Sequence, residues 1–247
     1  MLESDSKIQS VVSIITVVYN GEQTLRKTME SVCHQTVLPD EYLIINGNST
    51  DGTAAIVKEY MAQYPFIKLW SDTDTGIYDA MNKGISLAKG QLIGLINSDD
   101  WYELNAIELV TKAYLTHGSG VYYGIQRMYK GELEYMLERA HHRFIGVKMI
   151  PHPATFTSAD LYANIGVFDL KYHYSADLEL VIRYIQAKVN FFPMDHIIAN
   201  FRLGGASSTP KAALESLKVR RSYRLVSTRA YVYNLLKLRL KKLISSR

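Results

Sequence analysis

The chain of 247 residues contains one cysteine, Cys33, and no uncharged apolar run that approaches the ~20 residues of a membrane-spanning helix. A single cysteine excludes an internal disulfide framework and suits a reducing compartment. The first ten residues are polar and carry acids, which is not the pattern of a signal peptide. These absences predict a cytoplasmic protein without a spanning helix.

Several motifs of nucleotide-binding and hydrolytic enzymes are also missing. The segment YNGEQTL (19–25) holds one glycine at the place where a dinucleotide-binding loop needs three. The sequence has no P-loop, no G-x-S-x-G nucleophile elbow and no Cys/His pairs with zinc-site spacing. These absences argue against a nicotinamide or flavin enzyme, a P-loop NTPase and a structural zinc protein.

Charge is distributed unevenly along the chain. Residues 211–247 carry eleven Lys and Arg against one acid, Glu215, for a net charge of +10, whereas residues 1–210 have a net charge of −6. A basic tail on an acidic globular part suggests an anionic partner for the tail. Apolar residues recur in the tail at helical spacing, at Leu225, Val232, Leu236, Leu240 and Leu243. This pattern suits a helix lying on an anionic membrane, or a helix that packs on the globular part or on a second subunit.

Short β-rich runs alternate with helical patterns in the first half of the chain. The patterns predict strands at 11–19, 41–46, 67–71 and 91–97, separated by helices at 22–35, 49–64 and 77–90. This alternation predicts a parallel, doubly wound α/β sheet. The second half is less regular, with expected helices at 105–118 and 175–188 and expected strands at 121–129, 132–137 and 189–203.

Polar residues follow three of the predicted strands. In an open α/β sheet, ligands bind at the carboxyl ends of the strands. Asp99 and Asp100 follow the fourth strand with no basic residue nearby, which suits a hard cation such as Mg²⁺ or Mn²⁺. The alternative is that Asp100 caps a helix that begins near Glu103 while Asp99 faces water.

Five stretches, in this order, carry a resemblance to a known family: VSIITVVYN (12–20), IINGNSTDGT (44–53), DTGIYDAMNKGI with AKG (74–90), LINSDD (95–100) and SADLELVIR (175–183). Together they resemble the family 2 glycosyltransferases of the GT-A fold, most of all the small bacterial enzymes that build cell-surface polysaccharides. The resemblance implies a GT-A domain over 1–205, with a mixed, mostly parallel sheet and helices on both faces. A basic amphipathic helical tail over 206–247 would follow it.

The resemblance also implies an activity. A family member of this kind moves one sugar, with inversion, from a nucleotide-diphosphate donor to an acceptor hydroxyl. We expect a UDP-sugar donor and a lipid-linked oligosaccharide acceptor, which would place the enzyme at the inner face of the cell membrane. The Q-x-x-R-W motif of processive synthases is absent, so we expect one sugar per encounter.

Site residues follow from the same resemblance. Asp99 and Asp100 match the last two carboxylates of the DxD-type motif, with Asn97 where many relatives carry the first aspartate, and we expect Asp99 as the main ligand of Mn²⁺ or Mg²⁺ and Asp100 as the second. Asp177 matches the general base that deprotonates the acceptor. Donor contacts are implied for six further residues: Thr16, Tyr19, Asn46, Asp74, Asn82 and Lys83.

Some roles stay open at this level. Asn46 stands where relatives carry the aspartate that accepts the uracil N–H, which leaves the nucleobase undecided. Tyr19 could instead pack in the core, and Asp74 could close a turn with Gly76. His152 is either a sugar contact or a structural histidine. The stretch RLGGASS (202–208) is a candidate flap over the donor.

Two other functions compete with sugar transfer. A nucleotidyltransferase would share the α/β layout but needs a Gly-rich, basic loop after strand 1, of which NGEQTLRK (20–27) is a poor version. A non-catalytic nucleotide-sugar or nucleic-acid binder would rely on the basic tail. Nucleic-acid binding favours interleaved aromatic and basic residues on an exposed surface. Here the tail has a helical pattern and the globular part is acidic, so we expect no nucleic-acid partner. A homo-oligomer stays open, because the tail stripe can also cover a second subunit.

Overall fold

The computed structural model describes the backbone of residues 11–245 and the side chains of residues 11–205 and 207–238. Within this range nine strands form one sheet: β1 (Val12–Val18), β2 (Glu41–Asn46), β3 (Ile67–Ser71), β4 (Leu92–Leu95), β5 (Trp101–Tyr102), β6 (Val121–Lys130), β7 (Leu133–Glu138), β8 (Thr155–Ser158) and β9 (Phe191–Arg202). Eight α-helices occur in the same range: α1 (Leu25–Cys33), α2 (Thr53–Met61), α3 (Ile77–Leu87), α4 (Ala106–His117), α5 (Ala159–Ile165), α6 (Ala176–Gln186), α7 (Pro210–Ser222) and α8 (Thr228–Ser245).

The sheet has the order β3-β2-β1-β4-β8-β6-β9-β5, with β7 paired to β6 as a hairpin. The first four strands are parallel, whereas β8 runs antiparallel to both β4 and β6. The β6–β9 pair is parallel again. The mixed, mostly parallel α/β sheet predicted from the sequence is therefore confirmed, with β4 near its centre.

Helices cover both faces of this sheet, because successive residues of a strand point to opposite sides. On one side of β1, Ile14 packs in an apolar cluster with Leu25 and Met29 of α1. On the other side, Ile15 belongs to a second cluster with Met81 of α3. Near-continuous apolar strands are the consequence of this double coverage.

The helix α7 packs against the globular part, although the predicted boundary places it after residue 205 with the tail. It begins at Pro210, and Thr209 accepts the backbone N–H of Ala212 at 3.2 Å through its hydroxyl oxygen. Val219 is buried in the same cluster as α3 and α6, and Leu217 is buried as well. The 1–10 part of the predicted domain lies outside the described residues.

Only α8 is left as a candidate for a separate tail. It contacts α7, and Val232 and Leu236 on it are about half exposed. Leu240 and Leu243 of the predicted stripe lie outside the described side chains. Among residues 11–245, we find no helix with both the length and the apolar character needed to span a bilayer.

The burial of α7 gives a stability prediction. Leu217→Ala should lower the free energy of unfolding by about 2–4 kcal/mol, because a buried leucine is lost and a cavity remains. Val232→Ala on α8 is the matched control, since its side chain is half exposed and the change should stay within about 0.5 kcal/mol. Urea unfolding of both variants measures the difference. Equal, small effects would place α7 outside the core.

Candidate active site

A cavity of about 630 Å³ opens at the carboxyl ends of β1 and β4. The loops after these two strands, the start of α3, the start of α6 and the end of β9 form its walls. Parallel strands bring their carboxyl ends to one edge of the sheet, so polar residues far apart in the chain meet here. Four of the predicted site residues line the cavity: Tyr19, Asp74, Asp99 and Asp177.

Asp99 and Asp100 point in different directions. Asp99 lines the cavity, whereas the side chain of Asp100 is completely buried behind it. Oδ1 of Asp100 accepts the backbone N–H of Arg202 at 3.0 Å, and Oδ2 accepts from Nδ2 of Asn97 at 3.4 Å. The alternative of a helix cap is wrong, because the next helix begins at Ala106 with Asn105 before it, whereas the role of Asp100 as a metal ligand stays a prediction. Asp100 joins the loop after β4 to the end of β9.

The two neighbouring carboxylates favour a positive charge nearby, because burial and mutual repulsion destabilise their ionised forms. Burial raises the pKa of Asp99, while the positive charge of Arg202 lowers it. For Asp100, burial first and the charge of Asp99 second raise the pKa well above the usual aspartate value. A cation beside Asp99 would offset the cost of keeping this carboxylate ionised.

The residues present at this wall fit a divalent cation. Asn97 also lines the cavity, and its Oδ1 is buried without a hydrogen-bond partner in the described part of the chain. Amide and carboxylate oxygens are hard donors of the kind that Mg²⁺ and Mn²⁺ prefer. No cluster of three or more His, Cys, Asp or Glu side chains suited to a metal occurs among the residues that the structure describes. The protein would supply part of the coordination shell, and phosphate oxygens of a ligand would supply more.

An aromatic side chain and a carboxylate meet beside the end of β2. The Tyr19 side chain is 67% exposed at the cavity, so the alternative of core packing is wrong. A methyl group on Gly47 would lie 2.5 Å from Oδ2 of Asp74 and 3.6 Å from the Tyr19 ring. Asp74 also accepts the backbone N–H of Gly76 at 3.0 Å, which closes the turn expected as its alternative role. Glycine at 47 leaves room for the Asp74 carboxylate at this edge, whereas the distance to Tyr19 is ordinary van der Waals contact.

Thr16 and Asn46 are not among the residues that line the cavity, and their donor contacts stay a prediction. The Thr16 hydroxyl is fully buried and shares a hydrogen bond with the Tyr42 hydroxyl at 2.9 Å. Asn46 Oδ1 accepts from the backbone N–H and the hydroxyl of Ser49 at 3.0 and 2.6 Å, and its Nδ2 donates to Ser71. Both side chains are committed to holding the strands and the loop after β2.

Asn82 and Lys83 also contact the scaffold and are not among the residues that line the cavity, so their donor contacts stay a prediction. Asn82 donates to the carbonyl of Phe168 at 2.9 Å and accepts its N–H at 3.0 Å. Lys83 Nζ lies 3.2 Å from Oδ2 of Asp72 and 3.7 Å from Oδ2 of Asp79. Lys83 therefore fastens the loop that carries Asp74.

Asp177 occupies the first turn of α6 and faces the same cavity. Its Oδ1 accepts from the Tyr78 hydroxyl at 3.0 Å and from the backbone N–H of Leu178 at 2.8 Å. Burial, and then the charge of Asp177, raise the pKa of Tyr78 well above its usual value, so Tyr78 stays a neutral donor. Among the described residues, Oδ2 of Asp177 has no hydrogen-bond partner. One oxygen is thus oriented while the other is available to a ligand.

His152 lies in the wall beside Asp177. Its Nε2 is buried and has no hydrogen-bond partner among the described residues. Burial lowers the pKa of His152, while the charge of Asp177 raises it. The ring also makes an edge contact with Phe168 at a centroid distance of 6.1 Å. His152 is therefore part of the cavity wall and is packed against the core at the same time.

Sequence reasoning gave no individual role to several polar residues of the wall, among them Arg202, His173 and Tyr174. Nη1 of Arg202 donates to Glu132 at 2.9 Å, which holds the guanidinium at the end of β9. Arg202 begins the stretch predicted as a flap, and Gly205 and Ser207 of that stretch line the cavity too. The basic residue before two glycines was the only local signal, while His173 and Tyr174 lie in a loop without a pattern.

The sequence is similar to members of one known protein family. The model described as "Glycosyl transferase family 2" matches residues 13–170. The hyaluronan synthase of Pasteurella multocida is 36% identical over 113 residues, which cover 45% of this chain and only 12% of the synthase. The PGL/p-HBAD biosynthesis glycosyltransferase of Mycobacterium bovis is 30% identical over 203 residues, covering 80% of this chain and 79% of that protein.

Solved structures share the fold at low sequence identity. S. aureus TarS 1–349 in complex with UDP-GlcNAc has a TM-score of 0.70 and 18% identity, over 88% of this chain and 67% of that chain. The mannosyltransferase PcManGT from Pyrobaculum calidifontis, in complex with GDP-Man and Mn²⁺, has a TM-score of 0.67 and 12% identity, over 94% and 70% of the two chains. Given the family match over most of the sheet and the similarity to the mycobacterial enzyme over most of both chains, the chain belongs to glycosyl transferase family 2.

Proposed function

We propose that the protein transfers one sugar, with inversion, from a nucleotide-diphosphate donor to an acceptor hydroxyl. The observation that carries this proposal is one cavity with a carboxylate on each of two walls, Asp99 at the end of β4 and Asp177 on α6. One suits the diphosphate end of a donor and the other suits an acceptor proton. A binding protein without catalysis would have no use for the oriented Asp177, and family membership argues against a nucleotidyltransferase.

Asp177 is the general base of the proposed reaction. Its Oδ2 takes the proton of the acceptor hydroxyl as that oxygen forms a bond to the anomeric carbon. The bond from the anomeric carbon to the donor phosphate oxygen breaks on the opposite face, and its electron pair leaves with the nucleoside diphosphate. A single displacement of this kind inverts the configuration and needs one carboxylate, whereas glycoside hydrolysis needs two.

Asp99 and Asn97 would hold Mg²⁺ or Mn²⁺ together with oxygens of the diphosphate. When bound, the cation neutralises the charge that develops on the leaving diphosphate. Arg202, at the end of β9, also lines the cavity and adds a positive charge there, which lowers the pKa of Asp99. The Mn²⁺ bound with GDP-Man in the PcManGT complex supports this cation class.

Tyr19 offers an exposed aromatic face on which a nucleobase can stack. We favour a uridine nucleotide, since the related fold of TarS is known in complexes with UDP and UDP-GlcNAc. The GDP-Man complex of PcManGT makes guanosine the second candidate. The acceptor we propose is a lipid-linked oligosaccharide, extended by one sugar per encounter.

Thermal unfolding with nucleotides tests the donor site. UDP with Mn²⁺ should stabilise the protein by about 2.7 kcal/mol at a hundredfold excess over Kd, which corresponds to a rise in Tm of about 5–10 °C. UDP with excess chelator should give a much smaller rise, and ADP with Mn²⁺ is the control for the base. If no nucleotide raises Tm, or if the chelator has no effect, the proposed site fails. A screen of UDP- and GDP-sugars for hydrolysis and transfer then identifies the sugar.

For α8 we propose docking on an anionic membrane surface. Its apolar side chains Val232, Tyr233 and Leu236 are exposed, and Arg229 and Lys237 lie on the same helix. Basic residues near an anionic surface contribute about 1 kcal/mol each, so several of them would give reversible binding. Such docking would bring the cavity to a lipid-linked acceptor at the cytoplasmic face.

Truncation tests the docking proposal, and the structure determines where to cut. A chain that ends at residue 227 keeps α7 in the core and removes α8 alone. It should lose salt-sensitive binding to phosphatidylserine-containing vesicles while Tm and UDP affinity stay unchanged. The full-length double variant Arg229→Glu, Lys237→Glu is the charge control and should bind more weakly. A truncated protein that still binds vesicles, or that unfolds, would rule out this role for α8.

A further inference from the structure

The only acidic residue between 211 and 247 is Glu215, and it faces the loop before Asp177. Its Oε1 accepts the backbone N–H of His173 at 3.1 Å, and its Oε2 accepts the backbone N–H of Tyr174 at 2.6 Å. Glu215 forms no ion pair among the described residues, although eleven basic residues share its segment. Its carboxylate is therefore committed to two consecutive peptide groups of this loop.

Further contacts from α7 and its end extend this attachment to both sides of Asp177. The hydroxyl oxygens of Ser216 and Ser175 lie 2.8 Å apart, directly before α6. The Tyr223 hydroxyl donates to the carboxylate of Glu179, one turn into α6. Glu179 is only 2% exposed, and Tyr223 and Arg183 are its side-chain partners. The segment 173–179 is thus held at successive points by one neighbouring helix.

His173 and Tyr174 line the cavity together with Asp177. An acceptor hydroxyl must come within about 2.6–3.2 Å of the base that deprotonates it. The rest of the acceptor sugar must therefore lie against the wall next to Asp177, where an imidazole and a phenol offer hydrogen-bonding groups and an aromatic face. The direction of both side chains depends on the two peptide groups that Glu215 holds.

We propose that His173 and Tyr174 form a subsite for the acceptor sugar and that Glu215 is its positioning residue. This inference rests on the proposed sugar transfer and names a further part of that site. Glu215 does not touch substrate; it sets the place of the acceptor relative to Asp177 through the backbone of the loop. A displacement of about 1 Å in such a site can cost about 10²-fold in rate.

Two variants and one control test the proposal. Glu215→Ala removes both acceptor oxygens, whereas Glu215→Gln keeps one of them and has the same size. Lys218→Ala changes an exposed residue of the same helix and is the matched control. The probes are UDP with Mn²⁺ for the donor side and a panel of nitrophenyl hexosides for the acceptor side.

The expected result separates positioning from a general loss of structure. In Glu215→Ala, hydrogen exchange at the amides of His173 and Tyr174 should accelerate at least ~10-fold, since both lose their acceptors. The KM for the best hexoside should rise about 10-fold or more, while the Kd for UDP stays within about twofold. The amide exchange rates and the hexoside KM of Glu215→Gln should lie between those of wild type and Glu215→Ala. Those of Lys218→Ala should match wild type.

Other outcomes overturn the inference. Unchanged amide exchange in Glu215→Ala, or faster exchange with an unchanged hexoside KM, would remove Glu215 from this role. Equal weakening of UDP and hexoside would show that it supports the fold as a whole. If the wild-type enzyme transfers sugar to none of the hexosides, the proposed transfer to such acceptors is contradicted independently of the role of Glu215. Hexoside binding by saturation-transfer NMR, compared between wild type and Glu215→Ala, then decides the subsite.

Discussion

Asp177→Asn should lower kcat for sugar transfer by about 10²–10⁴-fold and leave nucleotide affinity close to that of the wild type. The amide has the size of the carboxylate and can still accept the Tyr78 hydrogen bond through its oxygen. It cannot take up the proton of an acceptor hydroxyl. Initial rates of transfer, together with titration of UDP in the presence of Mn²⁺, measure the two quantities separately.

Tyr78→Phe is the control for orientation of the base. It removes the hydroxyl that holds Oδ1 of Asp177 while the carboxylate stays, so its effect on kcat should be smaller than that of Asp177→Asn. An Asp177→Asn enzyme with wild-type kcat would assign the proton transfer to another group. His152, with its unpartnered Nε2 in the same wall, would be the next candidate, because Glu179 is buried with Arg183 and Tyr223.

Asp99→Ala should reduce turnover by about 10²-fold or more with little loss of stability. Asp99 is the carboxylate that faces the cavity, and its removal takes away the charge that would hold a divalent cation near the leaving diphosphate. The rate measured against Mn²⁺ concentration should also shift to higher concentrations. Wild-type enzyme that works fully in excess chelator would contradict this role.

The variant Asp100→Asn distinguishes the role of Asp100 from that of Asp99. The Asp100 carboxylate accepts from the backbone N–H of Arg202 and from Nδ2 of Asn97, and an amide keeps only one acceptor oxygen for these two donors. We expect a lower Tm and an almost unchanged dependence on Mn²⁺. If Asp100→Asn instead shifts the Mn²⁺ dependence as strongly as Asp99→Ala, both aspartates take part in cation binding.

Local pattern was enough to predict the parallel half of the sheet. The strands at 41–46 and 67–71 occur with the predicted bounds, and β1 and β4 lie within their predicted ranges. Each is a short apolar run between turn or cap residues, so its strand conformation can be predicted from residues close to it in the chain. The short strands β5 and β8 were not predicted, because they exist only through pairing with β9, β4 and β6.

The motifs located segments that border the cavity but not every side chain that faces it. Tyr19, Asp74, Asp99 and Asp177 line the cavity as expected, whereas Thr16, Asn46, Asn82, Lys83 and Asp100 bind parts of the scaffold. Asp99 and Asp100 differ by one position, and in an irregular loop nothing local tells which of two neighbours faces a ligand. That choice depends on what lies behind the loop, here the backbone of Arg202.

By itself, then, the sequence determined the order of strands and helices in the first half and the strand ends at which polar groups collect. These properties follow from periodicity and turn residues within a few positions of each other. Tertiary structure alone decided that α7 is part of the core and that Glu215 binds a loop 41–42 residues earlier. A hydrogen bond between distant segments leaves no periodic trace in either of them, because its partner is set by how the whole chain packs.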